Sequence, residues 1–182
     1  MGSSERSPSL ILQIKAEVPE GFPSRDMLAE KFLEAFRKVS ERLPGRWEKK
    51  EIELGITLTD DSNIRAINKA YRGVDEATDV LSFPLIGDGP AIEDEGEGGP
   101  PLALGDIIIS LETVARQAEE RELSFNERFC EVLVHGMLHI LGKEHSTEEG
   151  RDQMEALEEE LVPVVMKVFE PLRLMMVCSS NR

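Results

Sequence analysis

The sequence predicts a single α+β domain with a four-stranded mixed sheet and about five packed helices. Its 182 residues, of which 40% are hydrophobic, are enough to bury one core without disulfides. Short apolar segments with strand periodicity and longer segments with helical periodicity follow one another in mixed order. That order is typical of helices packed on one sheet, and no internal repeat suggests a solenoid.

Four segments have the patterns of strands. In residues 51–59 every second residue is apolar, which is the period of a half-buried strand. Residues 10–18 and 102–109 are short and largely apolar. Residues 79–85 complete the sheet, and Pro84 marks the end of that strand or an edge of the sheet.

The first three helices are predicted from their capping residues. Ser24 caps a helix of about seventeen residues with one apolar face, which Pro44-Gly45 ends. Asp60 or Asp61 opens a short helix through Tyr71. Ser110 caps a third helix that runs to about Arg121.

Two further helices begin with the capping-box pattern, in which an acid follows the cap by three residues. Ser124 with Glu127 starts a helix that stops at Gly142, a residue that favours helix ends. Ser146 with Glu149 starts the last helix. Pro163 falls late in this helix and is expected to kink or end it.

The chain divides into one domain and a short extension. Residues 1–163 are predicted to form the domain, and residues 164–182 a C-terminal extension. Within the domain, residues 86–101 are rich in glycine, proline and acid and are expected to form an exposed loop.

Composition excludes several classes of protein. The net charge of −15 argues against a protein that coats nucleic acid by bulk electrostatics, although it allows a local basic cleft. No segment is long and apolar enough to span a membrane, and the N-terminus lacks the pattern of a signal peptide. Two cysteines give no disulfide framework. A cytoplasmic protein is therefore expected.

The stretch HGMLHILGKEH holds all three histidines of the chain, His135, His139 and His145. Four residues along a helix bring two side chains nearly above one another, so the first two imidazoles can share a metal. A turn at Gly142 can bring the third to the same point. Three imidazoles with an open fourth position are typical of a catalytic zinc site, which would lie at the C-terminal end of a helix.

Gly136 stands where zinc peptidases with this histidine spacing carry a glutamate that acts as general base. Glycine has no side chain and cannot accept a proton. The spacing therefore indicates a zinc hydrolase, while the missing base disfavours a peptidase. Either another group activates the nucleophile or the metal alone suffices.

Three blocks of the sequence resemble the YbeY family, bacterial metal-dependent endoribonucleases of ribosomal RNA maturation. They are HGMLHILGKEH, NKAYRGVDEATDVLSFP at 68–84 and LGDIIIS at 104–110. The resemblance implies a compact α+β fold, one Zn²⁺ per chain on the three histidines, and a cleft lined by Arg72. Glu144 stands where the family commonly has aspartate, so the carboxylate is kept.

The chemistry of RNA cleavage suggests roles for these residues. A metal at His139 and its partners, together with the guanidinium of Arg72, suits the negative charge that gathers on a phosphodiester in its transition state. Asn68 lies one helical turn before Arg72 and is a candidate to position it or the substrate, whereas Tyr71 is expected to pack. Carboxylates usually hold ligating imidazoles from behind. The candidates for that role are Asp79, Asp106 and Glu144.

The leading hypothesis is a zinc-dependent, single-strand-specific endoribonuclease. The resemblance implies a role in rRNA maturation, including the 3′ end of 16S rRNA, and in ribosome quality control, with the small ribosomal subunit and its assembly factors as partners. The nucleophile, either water on the metal or the 2′-OH of the RNA, stays open. Two alternatives remain, a zinc metallopeptidase that lacks its glutamate and a non-catalytic ribosome-assembly factor.

Overall fold

The computed structural model describes residues 9–14, 22–43, 52–85 and 101–172, and for residues 9–14 it describes the backbone alone. Of the acidic loop predicted at 86–101, all but the last residue lies outside the described residues. The same holds for the end of the predicted C-terminal extension, from residue 173 onward.

The described strands form one mixed sheet in the order β1-β2-β4-β3. Strands β1, β2 and β4 are parallel to one another, and β3 pairs with β4 in the antiparallel sense at the edge. The strand bounds are β1 Ser9–Ile14, β2 Ile52–Thr59, β3 Val80–Pro84 and β4 Leu102–Ser110. The prediction of an α+β domain with a mixed sheet is confirmed.

Five α-helices occur in the described part of the chain, as predicted. Ser24, Asp60, Ser110 and Ser124 cap the first four, each accepting a hydrogen bond from a backbone N–H three residues on. A 3₁₀ turn, Glu170–Leu172, follows the last helix. The helix bounds are α1 Arg25–Ser40, α2 Asp61–Arg72, α3 Leu111–Glu120, α4 Phe125–Ile140 and α5 Glu148–Phe169.

The main core lies between the sheet and the helices α1, α4 and α5. Its centre is a cluster of three fully buried rings, Phe32 from α1, Phe129 from α4 and Phe169 from α5. Their centroids lie 5.4 to 6.1 Å apart in tilted or edge-to-face contacts. Such pairs add to the free energy of burial, so this cluster ties the three helices together.

The last helix differs from its prediction at its start. Thr147, and not Ser146, is the cap, and its hydroxyl accepts a hydrogen bond from the backbone N–H of Gly150 at 3.0 Å. Position 150 must be small, because a Cβ there would lie 2.5 Å from the carbonyl oxygen of Glu144. With glycine three residues after the cap, the predicted capping box cannot form.

The last helix also runs through Pro163, which was expected to kink or end it. The boundary placed between residues 163 and 164 therefore crosses the middle of a helix. Val165, Val168 and Phe169 beyond it are buried in the core. A proline inside a helix costs about 3 kcal/mol, whereas burying each of these side chains contributes roughly 1.5–3 kcal/mol, so packing wins.

Gly105 lets β4 pass close to the edge strand. Its φ of +134° is a conformation that side chains disfavour, and a Cβ there would lie 2.2 Å from the carbonyl oxygen of Phe83. The register of β4 against β2 also shifts here by one residue, which leaves Leu104 as a bulge.

We expect Gly105→Ala to lower the free energy of unfolding by about 3 kcal/mol or more, since backbone strain and a clash with backbone act together. Urea unfolding followed by circular dichroism measures the loss. The matched control is Gly73→Ala, where φ is +73° but no atom lies within 4 Å; strain alone costs about 1 kcal/mol there. Equal losses for both variants would contradict the close-approach explanation.

Candidate metal centre

Helix α4 positions two of the three histidines. His135 and His139 lie four residues apart on the helix, and their ring centroids are 4.6 Å apart. The Nε2 atoms of the two rings are separated by 3.1 Å and therefore face the same point. The complete capping box of Ser124 and Glu127 fixes the other end of this helix.

The turn after α4 brings in the third histidine. Gly142 has φ +82°, and its N–H donates to the carbonyl of His139 at 3.0 Å. The N–H of Lys143 donates to the carbonyl of Leu138 at 2.9 Å. Both bonds together form a Schellman motif, which reverses the chain at a left-handed glycine. His145 then lies with its ring centroid 5.6 Å from that of His135 and 5.0 Å from that of His139.

The three imidazoles fit a metal ion. One nitrogen from each ring lies within 4.8 Å of the others. The pKa of His139 is lowered to about 4, first by burial and then by the neighbouring imidazoles of His135 and His145 and by the charge of Arg72. Its ring is thus neutral at neutral pH, as a metal ligand must be. Neutral nitrogen donors suit zinc and several other divalent transition metals.

Glu158 of α5 is hydrogen-bonded to His135 at the ring nitrogen that does not face His139, a contact that the sequence analysis missed. Its Oε1 lies 2.7 Å from Nδ1 of His135, so the ring donates its Nδ1–H to the carboxylate and keeps Nε2 free to bind a metal. No local pattern could have identified this residue. It lies 23 positions beyond the histidine and is one of several acids on α5.

The three carboxylates predicted for that role have other surroundings. Asp79 accepts from Arg128 Nη2 at 2.6 Å and from the backbone N–H of Val80 at 2.8 Å. Asp106 is exposed on the sheet face opposite to α4. Glu144, which precedes His145 directly, is exposed too. Among the described residues, Glu158 is the carboxylate seen bonded to an imidazole, and the role of the other three stays a prediction.

Arg72 is brought to the centre by the end of α2. Its Nη2 donates to the carbonyl of Ser82 on the edge strand β3 at 3.3 Å. The side chain is exposed, yet it lies close enough for its charge to lower the pKa of His139. The structure therefore anchors this exposed guanidinium at β3, the edge strand that packs beneath α4.

Asn68 is buried and is hydrogen-bonded to the backbone of the turn that follows α2. It is 6% exposed, and its Nδ2 donates to the carbonyl of Glu76 at 2.8 Å. Its own carbonyl accepts from the N–H of Val74 at 3.4 Å. Direct contact with substrate, which the sequence suggested, does not fit this burial. Asn68 instead fixes the turn that follows Arg72.

Gly136 is required by packing. A Cβ at this position would lie 3.0 Å from Ile107, 3.3 Å from Ser82 and 3.4 Å from Val80, all on the strands beneath α4. The helix therefore lies too close to the sheet for a longer side chain. The glutamate that zinc peptidases use as a base has no room here, which weighs against the peptidase alternative.

An acidic cleft of about 670 Å³ opens beside His135, between α4, α5 and the start of β3. Two arginines reach into it, and both are paired: Arg128 with Asp79 and Glu131, and Arg121 with Glu131. The acids that line this acidic cleft are Asp79, Glu131, Glu155, Glu158 and Glu159.

No helix in the described part of the chain is long and apolar enough to cross a membrane.

Comparisons with known proteins extend the resemblance. The family model described as Endoribonuclease YbeY matches residues 23–165. A curated Endoribonuclease YbeY of Agrobacterium fabrum is 42% identical over 163 residues, covering 86% of this chain and 92% of its own. Another, of Desulforamulus reducens, is 44% identical over 129 residues, covering 71% and 81%. The solution structure of TM1509 from Thermotoga maritima shares the fold, with a TM-score of 0.56 at 22% identity over 94% of this chain and 100% of that chain.

We expect Glu158→Gln to weaken zinc binding about 10-fold and Glu158→Ala up to roughly 100-fold, because the ring of His135 loses the anion that orients it. Competition against a chromogenic chelator measures the affinity. The control is Glu155→Gln, which removes a charge from the same acidic cleft without touching an imidazole. If Glu155→Gln weakened binding as much as Glu158→Gln, general electrostatics and not the hydrogen bond would be responsible.

We expect Gly136→Glu to unfold the protein or lower its free energy of unfolding by about 4 kcal/mol or more, since a carboxylate would be forced into the helix–sheet contact. Thermal melts compare it with Gly142→Ala, where no atom lies within 4 Å and the strain of φ +82° alone is expected to cost about 1 kcal/mol. A folded Gly136→Glu variant that degrades casein would overturn this account of Gly136.

Proposed function

The chain belongs to the endoribonuclease YbeY family and is a hydrolase that acts on RNA, and on this premise we propose that it is a zinc-dependent, single-strand-specific endoribonuclease of rRNA maturation. The proposed tasks of the protein include maturation of the 3′ end of 16S rRNA and ribosome quality control. The small ribosomal subunit and its assembly factors are the proposed partners, and the cytoplasm the proposed location.

One observation carries the proposal: three imidazoles converge on one point, and the exposed guanidinium of Arg72 is anchored at β3, the strand beneath their helix. His135, His139 and His145 would hold the zinc ion. When bound there, zinc supplies a Lewis acid that stabilises the negative charge developing on a phosphodiester. Glu158 keeps Nε2 of His135 directed at the ion by accepting its Nδ1–H.

Arg72 is the proposed phosphate-binding and catalytic residue of the protein itself. A guanidinium can donate two parallel hydrogen bonds to the nonbridging oxygens of a phosphate. Within the described part of the chain, its contact is with the carbonyl of Ser82 at 3.3 Å, which leaves other N–H groups of the guanidinium able to donate. Held in place before the reaction, these donors stabilise the transition state without reorganisation of solvent.

The charge distribution indicates where RNA would lie. The acidic cleft beside His135 repels a polyanion, whereas the exposed Arg72 offers a positive charge at the end of α2. RNA is therefore expected to reach the centre across the end of α2 and the edge strand β3. Because the whole chain carries −15, affinity for bare RNA is expected to be low, with contacts on the ribosomal particle adding to it.

The direct test follows cleavage of a labelled single-stranded RNA by zinc-loaded wild-type protein and by variants purified in parallel. We expect His139→Ala to abolish cleavage and Arg72→Ala to lower kcat/KM roughly 100-fold, the loss typical of one preorganised charge donor. Addition of a chelator should stop the wild-type reaction, and zinc should restore it.

The control variant is Arg42→Ala, which removes an exposed arginine that pairs with Glu160 and has no contact with an imidazole among the described residues. Its activity should equal that of the wild type. Equal cleavage by wild type and His139→Ala would reveal a contaminating ribonuclease or a site elsewhere. Absence of cleavage by the wild type would favour the non-catalytic assembly factor.

A further inference from the structure

Tyr71 is exposed, whereas the sequence suggested that it packs. Its side chain is 74% accessible, the most of any large hydrophobic residue in the described part of the chain. The ring contacts Phe83 of β3 edge to face, with centroids 5.4 Å apart. Phe83 therefore supports the ring and limits its orientation, while most of the tyrosine surface stays open to solvent.

The exposure is part of a local pattern. Four large hydrophobic residues are exposed among the described residues, and three of them fall between positions 71 and 85. Single exposed apolar residues are ordinary, but a concentration of them in one segment marks a surface that contacts something else. The three are Tyr71, Val74 and Leu85.

The surface around Tyr71 is held in place. Asn68, which is buried one turn before the end of α2, bonds to the carbonyl of Glu76 and fixes the turn after the helix. Gly73 caps the helix in the left-handed conformation. On the sheet side, Phe83 belongs to a strand paired with β4. An aromatic ring presented by such a rigid support loses little conformational entropy when a ligand binds.

The neighbouring charge identifies the ligand. Arg72 follows Tyr71 directly and contacts the same edge strand, at Ser82, the neighbour of Phe83. A cation and an exposed aromatic ring that are held by consecutive residues of one strand match the two parts of a nucleotide, its phosphate and its base. The acidic cleft beside His135 offers no comparable pair, since the two arginines that line it are both ion-paired.

We propose that Tyr71, supported by Phe83, is a base-stacking subsite for a single-stranded RNA whose phosphate is bound by Arg72. The inference rests on the proposed function and adds a physical basis for strand specificity. In a duplex the bases are stacked on one another and their faces are unavailable, whereas a single strand can place a base on the ring. Because every base has a π-face, this subsite tolerates any sequence.

The experiment measures both affinity and kinetics on zinc-loaded protein. Anisotropy of a fluorescent single-stranded RNA, read on ice directly after mixing, gives Kd, and initial rates at higher temperature give KM and kcat. Tyr71→Ala should raise Kd and KM by about 5- to 150-fold, the range of one lost base–aromatic stack, and change kcat less. Tyr71→Phe should restore the affinity because it keeps the ring, and Tyr71→Leu should not.

Two controls separate stacking from general effects. Met27→Ala removes another large exposed hydrophobic residue, 50% accessible and on α1, and should leave Kd and KM unchanged. A set of RNAs with one abasic nucleotide at successive positions locates the stacked base. At one position the abasic RNA should bind the wild type with the same Kd that intact RNA has for Tyr71→Ala. The Kd of this abasic RNA should not rise further when it binds Tyr71→Ala, because the stack is already absent.

The outcomes separate this inference from the proposed function. If the wild type cleaves RNA and Tyr71→Ala has the same Kd and KM, stacking is wrong and the endoribonuclease stands. If the wild type does not cleave RNA, the proposed function fails, and the ratio of the two Kd values still decides the stacking. Affinity retained in Tyr71→Leu would mean nonspecific apolar contact and would also overturn it.

Discussion

Helix α4 lies so close to strands β3 and β4 that a Cβ at position 136 would come within 3.0 to 3.4 Å of three side chains, and the arrangement of the site depends on this contact. The helix carries His135 and His139, and the strand β3 beneath it carries the carbonyl to which Arg72 donates. Because Arg72 comes from α2 and reaches the edge of that strand, a larger separation between helix and sheet would move the imidazoles away from the guanidinium. The hydrogen bond from Ser82 Oγ to the carbonyl of Gly136, at 3.4 Å, joins the same two elements.

Local signals in the sequence predicted much of this site. Helix caps, the spacing of the histidines and the turn at Gly142 each depend on residues within one or two helical turns, and the Schellman motif forms where glycine predicted a stop. The α+β class follows from periodicity in the same way. Contacts between distant segments gave no such signal. Glu158 reaches His135 only because α5 packs on α4, and Asp106 points away because its neighbour Ile107 faces the helix.

Two further differences show how tertiary packing overrides local rules. Pro163 would end an isolated helix, but buried residues on the turns that follow hold α5 together through it. Tyr71 was expected to pack, and its ring does contact Phe83, yet the side chain stays 74% accessible at the end of α2. In both cases the decisive quantity is how much surface a neighbour covers, which a single sequence does not contain.

The metal centre and the core are connected through α5. His135 is a proposed ligand on α4, its supporting carboxylate Glu158 is on α5, and the two helices share the aromatic contact of Phe129 with Phe169. A metal bound at the three histidines would therefore favour the packed arrangement of α5 over any in which the helix is displaced. By linkage, the reverse also follows. A change in the core that loosens α5, even far from any ligand, leaves the ring of His135 less firmly oriented and so lowers the affinity for metal. The unbroken run of α5 through Pro163 thus matters to the site, because it carries Glu158 and Phe169 on one rigid element.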